Sequence, residues 1–291
     1  MLSLIVPAVI SGLTTGAIYA LVALGLTMIY GVLHIINFAH GSLLMLALYS
    51  VYFVNTLLGV DPYVAMPFLM VAFFVLGYLL QRVVINSFSH GKDSNTLLVT
   101  LALAIVIDNL ALYFFSSATR TIDLTYAFNM VEIAGAYLPL PKVIAFVASL
   151  FLVGLVWLFM MQTRLGQAIR AVAKEKRGAQ LMGIDVNRTY AVCFGIGTAC
   201  VAAAACLLMP TFYVTPQVGY SFVLVAFTTV VMGGMGSYMG ALVAGLFLGV
   251  VEALSGLFLG ETLGQIGIYA CFILTLLFRP AGLFGTKAKV A

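Results

Sequence analysis

Long apolar runs, interrupted by short clusters of glycine and polar residues, set the character of this chain. A helix needs about 20 mainly apolar residues to cross a bilayer. Such runs occur at Pro7–Tyr30, Phe38–Leu58, Tyr63–Arg82, Thr96–Ser117, Lys142–Met161, Thr189–Tyr213 and Leu263–Phe278. A further run, Ser221–Leu259, is too long for one crossing and barely long enough for two. Its glycine cluster, Gly233-Gly234-Met235-Gly236-Ser237, divides it into two short segments. The pattern predicts an all-α, polytopic transmembrane helix bundle of about 8–9 spans with broken, glycine-rich helices. The runs are continuous rather than alternating, which argues against a β-barrel.

Composition narrows this further. Hydrophobic residues make up 64% of the chain and charged residues 8%, with a mean hydropathy of +1.18. A soluble domain is nearer 45–50% apolar and about 25% charged. Residues 1–291 therefore read as a single transmembrane domain. The start, Met1-Leu2-Ser3-Leu4, has no basic region and is expected to open the first membrane helix. Cys193, Cys200, Cys206 and Cys271 all fall inside apolar runs and read as buried small hydrophobes.

Most of the positive charge is concentrated in one block: Arg164, Arg170, Lys174, Lys176, Arg177 and Arg188. Basic loops stay on the cytoplasmic side. Alternating outward from that block places all but Arg120 and Lys142 of the 13 basic residues inside. Arg82, Lys92, Arg279, Lys287 and Lys289 fall inside with the block. Asp61, Asp123, Glu132 and Glu261 fall outside, and Thr119–Pro141 is the longest external loop. The N-terminus is then outside and the C-terminus inside. The net charge of +4 reads as topology against a lipid bilayer, and no nucleic-acid partner is indicated.

Candidate chemistry sits where polar groups interrupt apolar sequence. The first place is Asn37, Phe38, His40, Gly41 and Ser42. Asn and His are expensive in hydrocarbon unless paired or facing a cavity. Two readings stand: a cytoplasmic turn with Asn37 as N-cap, or a broken helix lining a translocation path. The second place is Gly233, Gly234, Gly236 and Ser237, followed by Gly240, Gly245 and Gly249. That spacing suits close helix packing, but paired glycine-interrupted segments also point to transport sites. These nine positions, Asn37 to Ser42 and Gly233 to Ser237, are the candidate substrate pathway. Asp108 and Glu252 are acids within spans, and each is expected to face the bundle interior.

In the basic block, Leu165, Ala168, Ile169, Val172, Ala179 and Met182 approximate one apolar face at helical spacing. This predicts an amphipathic helix on the membrane surface, resting on anionic lipid or docking a cytoplasmic partner. Gly183 fits its C-terminal end. The chain has no phosphate-binding Gly-x-x-x-x-Gly-Lys-Ser/Thr loop, no metal-binding spacing around His34, His40 or His90, and no paired catalytic carboxylates. It does not read as an enzyme, and uphill transport would need an ion gradient or another subunit.

Three ordered segments resemble LivH-type permeases, the inner-membrane subunits of bacterial branched-chain amino acid ABC importers. They are Gly16-Ala17-Ile18-Tyr19-Ala20-Leu21 through Gly41, Arg164-Leu165-Gly166-Gln167-Ala168-Ile169-Arg170-Ala171 through Ile184, and Ala226-Phe227 through Leu254. Position 42 departs from the pattern, with Ser where many relatives carry Glu. The resemblance implies a multi-pass protein of the bacterial inner (plasma) membrane that moves branched-chain or other small amino acids, urea or short amides. It implies a second homologous permease, two cytoplasmic ATPase subunits and a periplasmic solute-binding protein. No cofactor is bound directly, and ATP acts through the partner subunits. Within a loop of about 164–188, a cytoplasmic coupling helix would meet the ATPase through Arg170, Glu175, Ala179 and Gly183. The alternative is a stand-alone secondary transporter or channel for a small neutral solute.

Overall fold

The computed structural model describes residues 2–89, 93–133 and 135–285. His90, Lys92, Lys287 and Lys289 lie outside the described residues. The chain folds into helices α1 (Leu2–Leu33), α2 (Ala39–Leu58) and α3 (Pro62–Leu79). A π-helical turn, Leu80–Ile85, carries α3 into the short α4 (Asn86–Ser89). Next come α5 (Asp93–Phe115), the β1–β2 hairpin (Met130–Ile133 and Ala136–Pro139) and α6 (Leu140–Gln162). The basic block forms α7 (Arg164–Lys174) and α8 (Lys176–Leu181). The remainder is α9 (Val186–Leu208), α10 (Val218–Gly233), α11 (Tyr238–Leu259) and α12 (Gly264–Phe278). Among the described residues, seven helices are long and apolar enough to cross a membrane. Two shorter apolar helices, Val218–Gly233 and Gly264–Phe278, complete the expected set.

Helices α1 and α9 form the buried centre, and small residues put them there. Without a hydrophobic driving force between helices in lipid, association depends on close van der Waals packing. Gly12, Gly16 and Ala20 of α1 meet Gly245 and Gly249 of α11: a Cβ added to Gly16 would lie 2.6 Å from the Gly245 carbonyl oxygen. One turn further along, Gly25 of α1 meets Gly197 of α9, again at 2.6 Å. Thr198 of α9 donates to the Phe73 carbonyl of α3 at 2.8 Å, a polar tie between neighbouring helices. Around this centre, α3, α5 and α6 expose Phe68, Val71, Leu98 and Phe151, the surface that hydrocarbon covers.

The two ends differ. At the end opposite the basic block, Lys142 Nζ donates to Ser11 Oγ at 3.1 Å. Arg120 pairs through its backbone with Val214 and lays its guanidinium over Tyr52 at 5.3 Å. Both basic residues set apart by the charge pattern therefore share this end. The segment read as a loop, Thr119–Pro141, contains an antiparallel hairpin with Met130 opposite Pro139 and Ile133 opposite Ala136. Its four-residue strands are too short to show a period. At the basic end the expected single amphipathic helix is two. Glu175 is extended (φ −154°, ψ 102°), ends α7, and caps α8 by accepting from the Arg177 amide at 3.2 Å.

Candidate functional site

The first polar interruption is a helix break inside the bundle. Helix α1 stops at Leu33, and His34 turns the chain at φ 57°. Helix α2 then starts far back along α1. His40 Nε2 sits 2.9 Å from the Val22 carbonyl oxygen, and its Cε1 would touch a Cβ on Gly25 at 3.2 Å. Helices rise 1.5 Å per residue, so the α2 start lies roughly 12–16 Å back from Leu33. The residues between are non-helical backbone in which Ile35 and Asn37 are buried and His34 and Phe38 are exposed; irregular backbone at membrane depth survives only where protein or a cavity borders it. Asn37 is buried, and its Oδ1 accepts the Ala39 amide at 3.1 Å. The capping role foreseen for Asn37 is present, but not in a surface turn. Phe38 is half-exposed beside it.

A second helix starts at the same level. Gly41 of α2 packs on Gly219 of α10, where a Cβ on Gly219 would lie 2.7 Å from the Gly41 carbonyl oxygen. Tyr52, beneath the Arg120 guanidinium, lies on α2 roughly 15 Å beyond Ser42 by the helix rise. That is about half of a 30 Å hydrocarbon core, so Ser42 sits near the midplane. Asp108 of α5 joins it there. The Ser42 and Tyr220 hydroxyls face its carboxyl, the residue is 8% exposed, and Oδ1 has no hydrogen-bond partner among the described residues. A carboxyl at that depth costs about 2.5–3.5 kcal/mol on insertion scales.

The glycine cluster Gly233–Ser237 lies at the basic end instead. Gly233 packs against Gly240, and Gly234 (φ 98°) against Gly282 and Gly285. The Leu283 and Phe284 amides donate to the Met232 and Gly233 carbonyls at 2.8 and 3.2 Å, closing the end of α10. Ser237 caps α11 by accepting from Gly240 N at 3.1 Å. A Cβ on Gly31 would lie 3.4 Å from Gly236 Cα, so the cluster touches the end of α1. The nine pathway candidates thus occupy two levels, midplane and basic end. The structural counterpart of the α2 start is the entry to α10, Pro216-Gln217-Val218-Gly219-Tyr220. Its one advance sign was a Pro, a Gly and polar residues ahead of an apolar run.

Glu252 lies toward the opposite end. Tyr19 donates its hydroxyl to Glu252 Oε2 at 2.7 Å. Both residues border two neighbouring cavities of about 270 and 690 Å³. Gln217, Ser221 and Gln265 line the first, and Ser11, Thr15 and Lys142 the second. Asp108 and Glu252 do not share a site.

The basic block is folded into two capped helices. Thr163 caps α7 through Gly166 N at 3.0 Å, and Asp185 caps α9 through Arg188 N at 3.1 Å. Gly183 (φ 80°) ends α8, with Ile184 N donating to Ala179 O and Gly183 N to Gln180 O, a Schellman closure. The Arg170 guanidinium donates to the Met160 carbonyl and approaches Met161 Sδ at 3.2 Å. It places positive charge at the C-terminal end of α6, where the helix dipole favours it. Ile169, Val172 and Ala179 are buried as expected. Met182 does not join them: it is 83% exposed beside Leu181 at 88%, at the C-terminal end of α8, where Gly183 stops the helix. Leu165 is also exposed.

Comparison with known proteins follows the same outline. Residues 8–277 match the family described as branched-chain amino acid transport system / permease component. The chain is 33% identical to the high-affinity branched-chain amino acid transport system permease protein BraD of Pseudomonas aeruginosa, over 95% of this chain and 94% of that one. It is 31% identical to LivH of Escherichia coli strain K12, over 94% of each. Among solved structures, PsaBC from Streptococcus pneumoniae in complex with Fab superposes with a TM-score of 0.54 at 16% identity, covering 94% of this chain and 92% of that one. That likeness concerns the fold alone.

Proposed function

Since the chain belongs to the family of branched-chain amino acid transport system permeases, we propose that it is the membrane subunit of an ATP-driven importer. It moves branched-chain or other small amino acids, or urea and short amides, into the cytoplasm by alternating access. Two cytoplasmic ATPases act on α7 and α8, a second permease completes the pathway, and a periplasmic binding protein delivers the solute at the inner membrane. ATP is used on the partner subunits.

One observation supports this most: α7–α8 is a capped unit between α6 and α9, with Arg170 donating to the Met160 carbonyl in the last turn of α6. Force applied there reaches two spanning helices through short, hydrogen-bonded turns. Close glycine contacts at Gly12, Gly16, Gly25 and Gly41 provide smooth surfaces on which helices shift between two packings. Asn37, Phe38, His40, Gly41 and Ser42 belong to the pathway at the midplane, and Gly233, Gly234, Gly236 and Ser237 to its cytoplasmic end.

The test is reconstitution with and without ATPase subunits. Uptake of labelled amino acid that requires the ATPases and ATP supports the proposal. Flux through this chain alone would favour a self-sufficient carrier or channel and overturn it.

A further inference from the structure

We propose that Asp108, with Ser42 and Tyr220, is the midplane subsite that binds the ammonium group of the transported solute. This rests on the permease reading and narrows its substrate class to primary ammonium compounds. Three helices contribute one group each: α5 the carboxyl, the first turn of α2 a hydroxyl, the first turn of α10 a phenol. The backbones of α2 and α10 touch at Gly41 and Gly219, immediately beside these hydroxyls. Apart from the Val223 side chain, which lies 2.8 Å from a Cβ placed on Gly41, the nearest atoms at that junction are backbone.

One oxygen of the carboxyl is not spent on internal structure. The residue is 8% exposed, and Oδ1 has no partner among the described residues. Ser42 and Tyr220 each bring a single hydroxyl, a neutral donor that leaves the carboxyl short of both donors and positive charge. An ammonium supplies both, with three N–H donors and a charge-assisted hydrogen bond. The Tyr220 phenol forms the exposed edge of the site, while the carboxyl behind it is buried. Tyr220 is 55% exposed, at a depth where a phenol facing lipid would be poorly placed and one facing a solute pathway would not. Helix N-termini at the midplane favour negative charge nearby. They support the carboxyl before solute arrives and the solute's own carboxylate after.

Urea and short amides lack the charge this site answers. A carrier built for them would gain nothing from an unpaired carboxyl. The structure therefore separates two solute classes that the resemblance leaves together.

The assembled transporter, purified through this chain with its second permease and ATPases and supplied with the solute-binding protein, is placed in proteoliposomes. Uptake is measured for leucine, alanine, the 2-hydroxy acid analogue of each, and urea. The wild type should carry the amino acids and discriminate against the hydroxy acids and urea. Asp108→Asn should raise the KM for the amino acids about ten- to hundred-fold, as expected for losing one charge-assisted contact. It should also erase the preference over the hydroxy acids. Should Asp108→Asn fail to co-elute with the ATPases, Ser42→Ala and Tyr220→Phe serve instead, with a smaller rise in KM and the same narrowing of preference. An unchanged KM and preference in all assembled variants overturns the proposal. So does urea carried as well as leucine, although the permease reading then survives. Absence of ATP-dependent uptake of every compound by the wild type defeats the permease reading, and this proposal with it.

Discussion

Gly41 and Gly219 meet backbone to backbone at the point where α2 and α10 both begin. Two helices starting at one depth give the bundle a close backbone junction near its middle, flanked by the Val223 side chain. A Cβ on Gly219 would stand 2.7 Å from the Gly41 carbonyl oxygen, so one helix must move to accept it. Overpacking of this kind costs about 1–3 kcal/mol. Gly219→Ala should therefore lower the unfolding temperature of the purified chain. Gly154 of α6 is the control, since nothing lies within 4 Å of its added Cβ. Gly154→Ala should raise stability by about 0.5–1 kcal/mol through helix propensity. Equal melting of Gly219→Ala and wild type would mean the two backbones are not in contact.

The Tyr19–Glu252 hydrogen bond ties α1 to α11 beside the open cavities. Removing the phenol leaves a partly buried carboxyl without its donor, at a cost of about 1 kcal/mol, the lower end of the range for an unsatisfied group. A double-mutant cycle of Tyr19→Phe and Glu252→Leu should return a coupling of about 1 kcal/mol in thermal unfolding. Zero coupling would show that each residue acts alone. Glu252→Gln keeps an acceptor for Tyr19 and should melt close to wild type.

Hydropathy made the spans legible because each of the seven long helices buries or exposes apolar side chains along its whole length. Charge counting put Arg120 and Lys142 at one end for the same physical reason, the cost of carrying a cation across hydrocarbon. Depth was not legible. Nothing in the order Gly31 to Ser42 states that α2 starts beside Val22, because that contact is made between residues far apart in the fold. The same limit hid Asp108 from Ser42 and Tyr220, which come together only through three helices. Within the basic block, apolar spacing through Met182 suggested one helix. The break at Glu175 is a local backbone choice that periodicity does not register.

Outside the spans, Tyr126 donates to Asp61 Oδ2 at 2.6 Å, joining the loop before the hairpin to the cap of α3. Burial, and then the hydrogen bond to Asp61, hold the Tyr126 hydroxyl well above its ordinary value. A raised value means the folded state holds the proton more tightly. Its stabilising effect is complete below the unfolded tyrosine value of about 10 and declines as pH rises beyond it. The stability gap between wild type and Tyr126→Phe should thus stay flat from neutral pH to about 9 and narrow above 10. A gap that already shrinks between pH 7 and 9 would contradict the assignment.

Leu181 and Met182 are the most informative positions for partner docking, because exposure separates them from their buried neighbour. Both are large, apolar and almost fully exposed at the C-terminal end of α8, whose first turn carries Lys176 and Arg177. An exposed apolar pair on a short charged helix has the make-up of an interface core. Ala179, two residues earlier, packs into the bundle. Replacing Ala179 with Asp buries a charge and should lower the unfolding temperature of the chain by itself, with any loss of ATPase binding following from that. Leu181→Asp with Met182→Asp should leave the unfolding temperature of the isolated chain within about 0.5 kcal/mol of wild type, as for surface changes. The same pair should abolish co-purification of the ATPase subunits and ATP-dependent uptake. Gly183→Val lies between the two cases. Its φ of 80° strains a β-branched residue by about 1–2 kcal/mol, so it should loosen α8 and weaken docking together. Intact ATPase binding by the Leu181, Met182 double variant would move the docking surface elsewhere on the basic end.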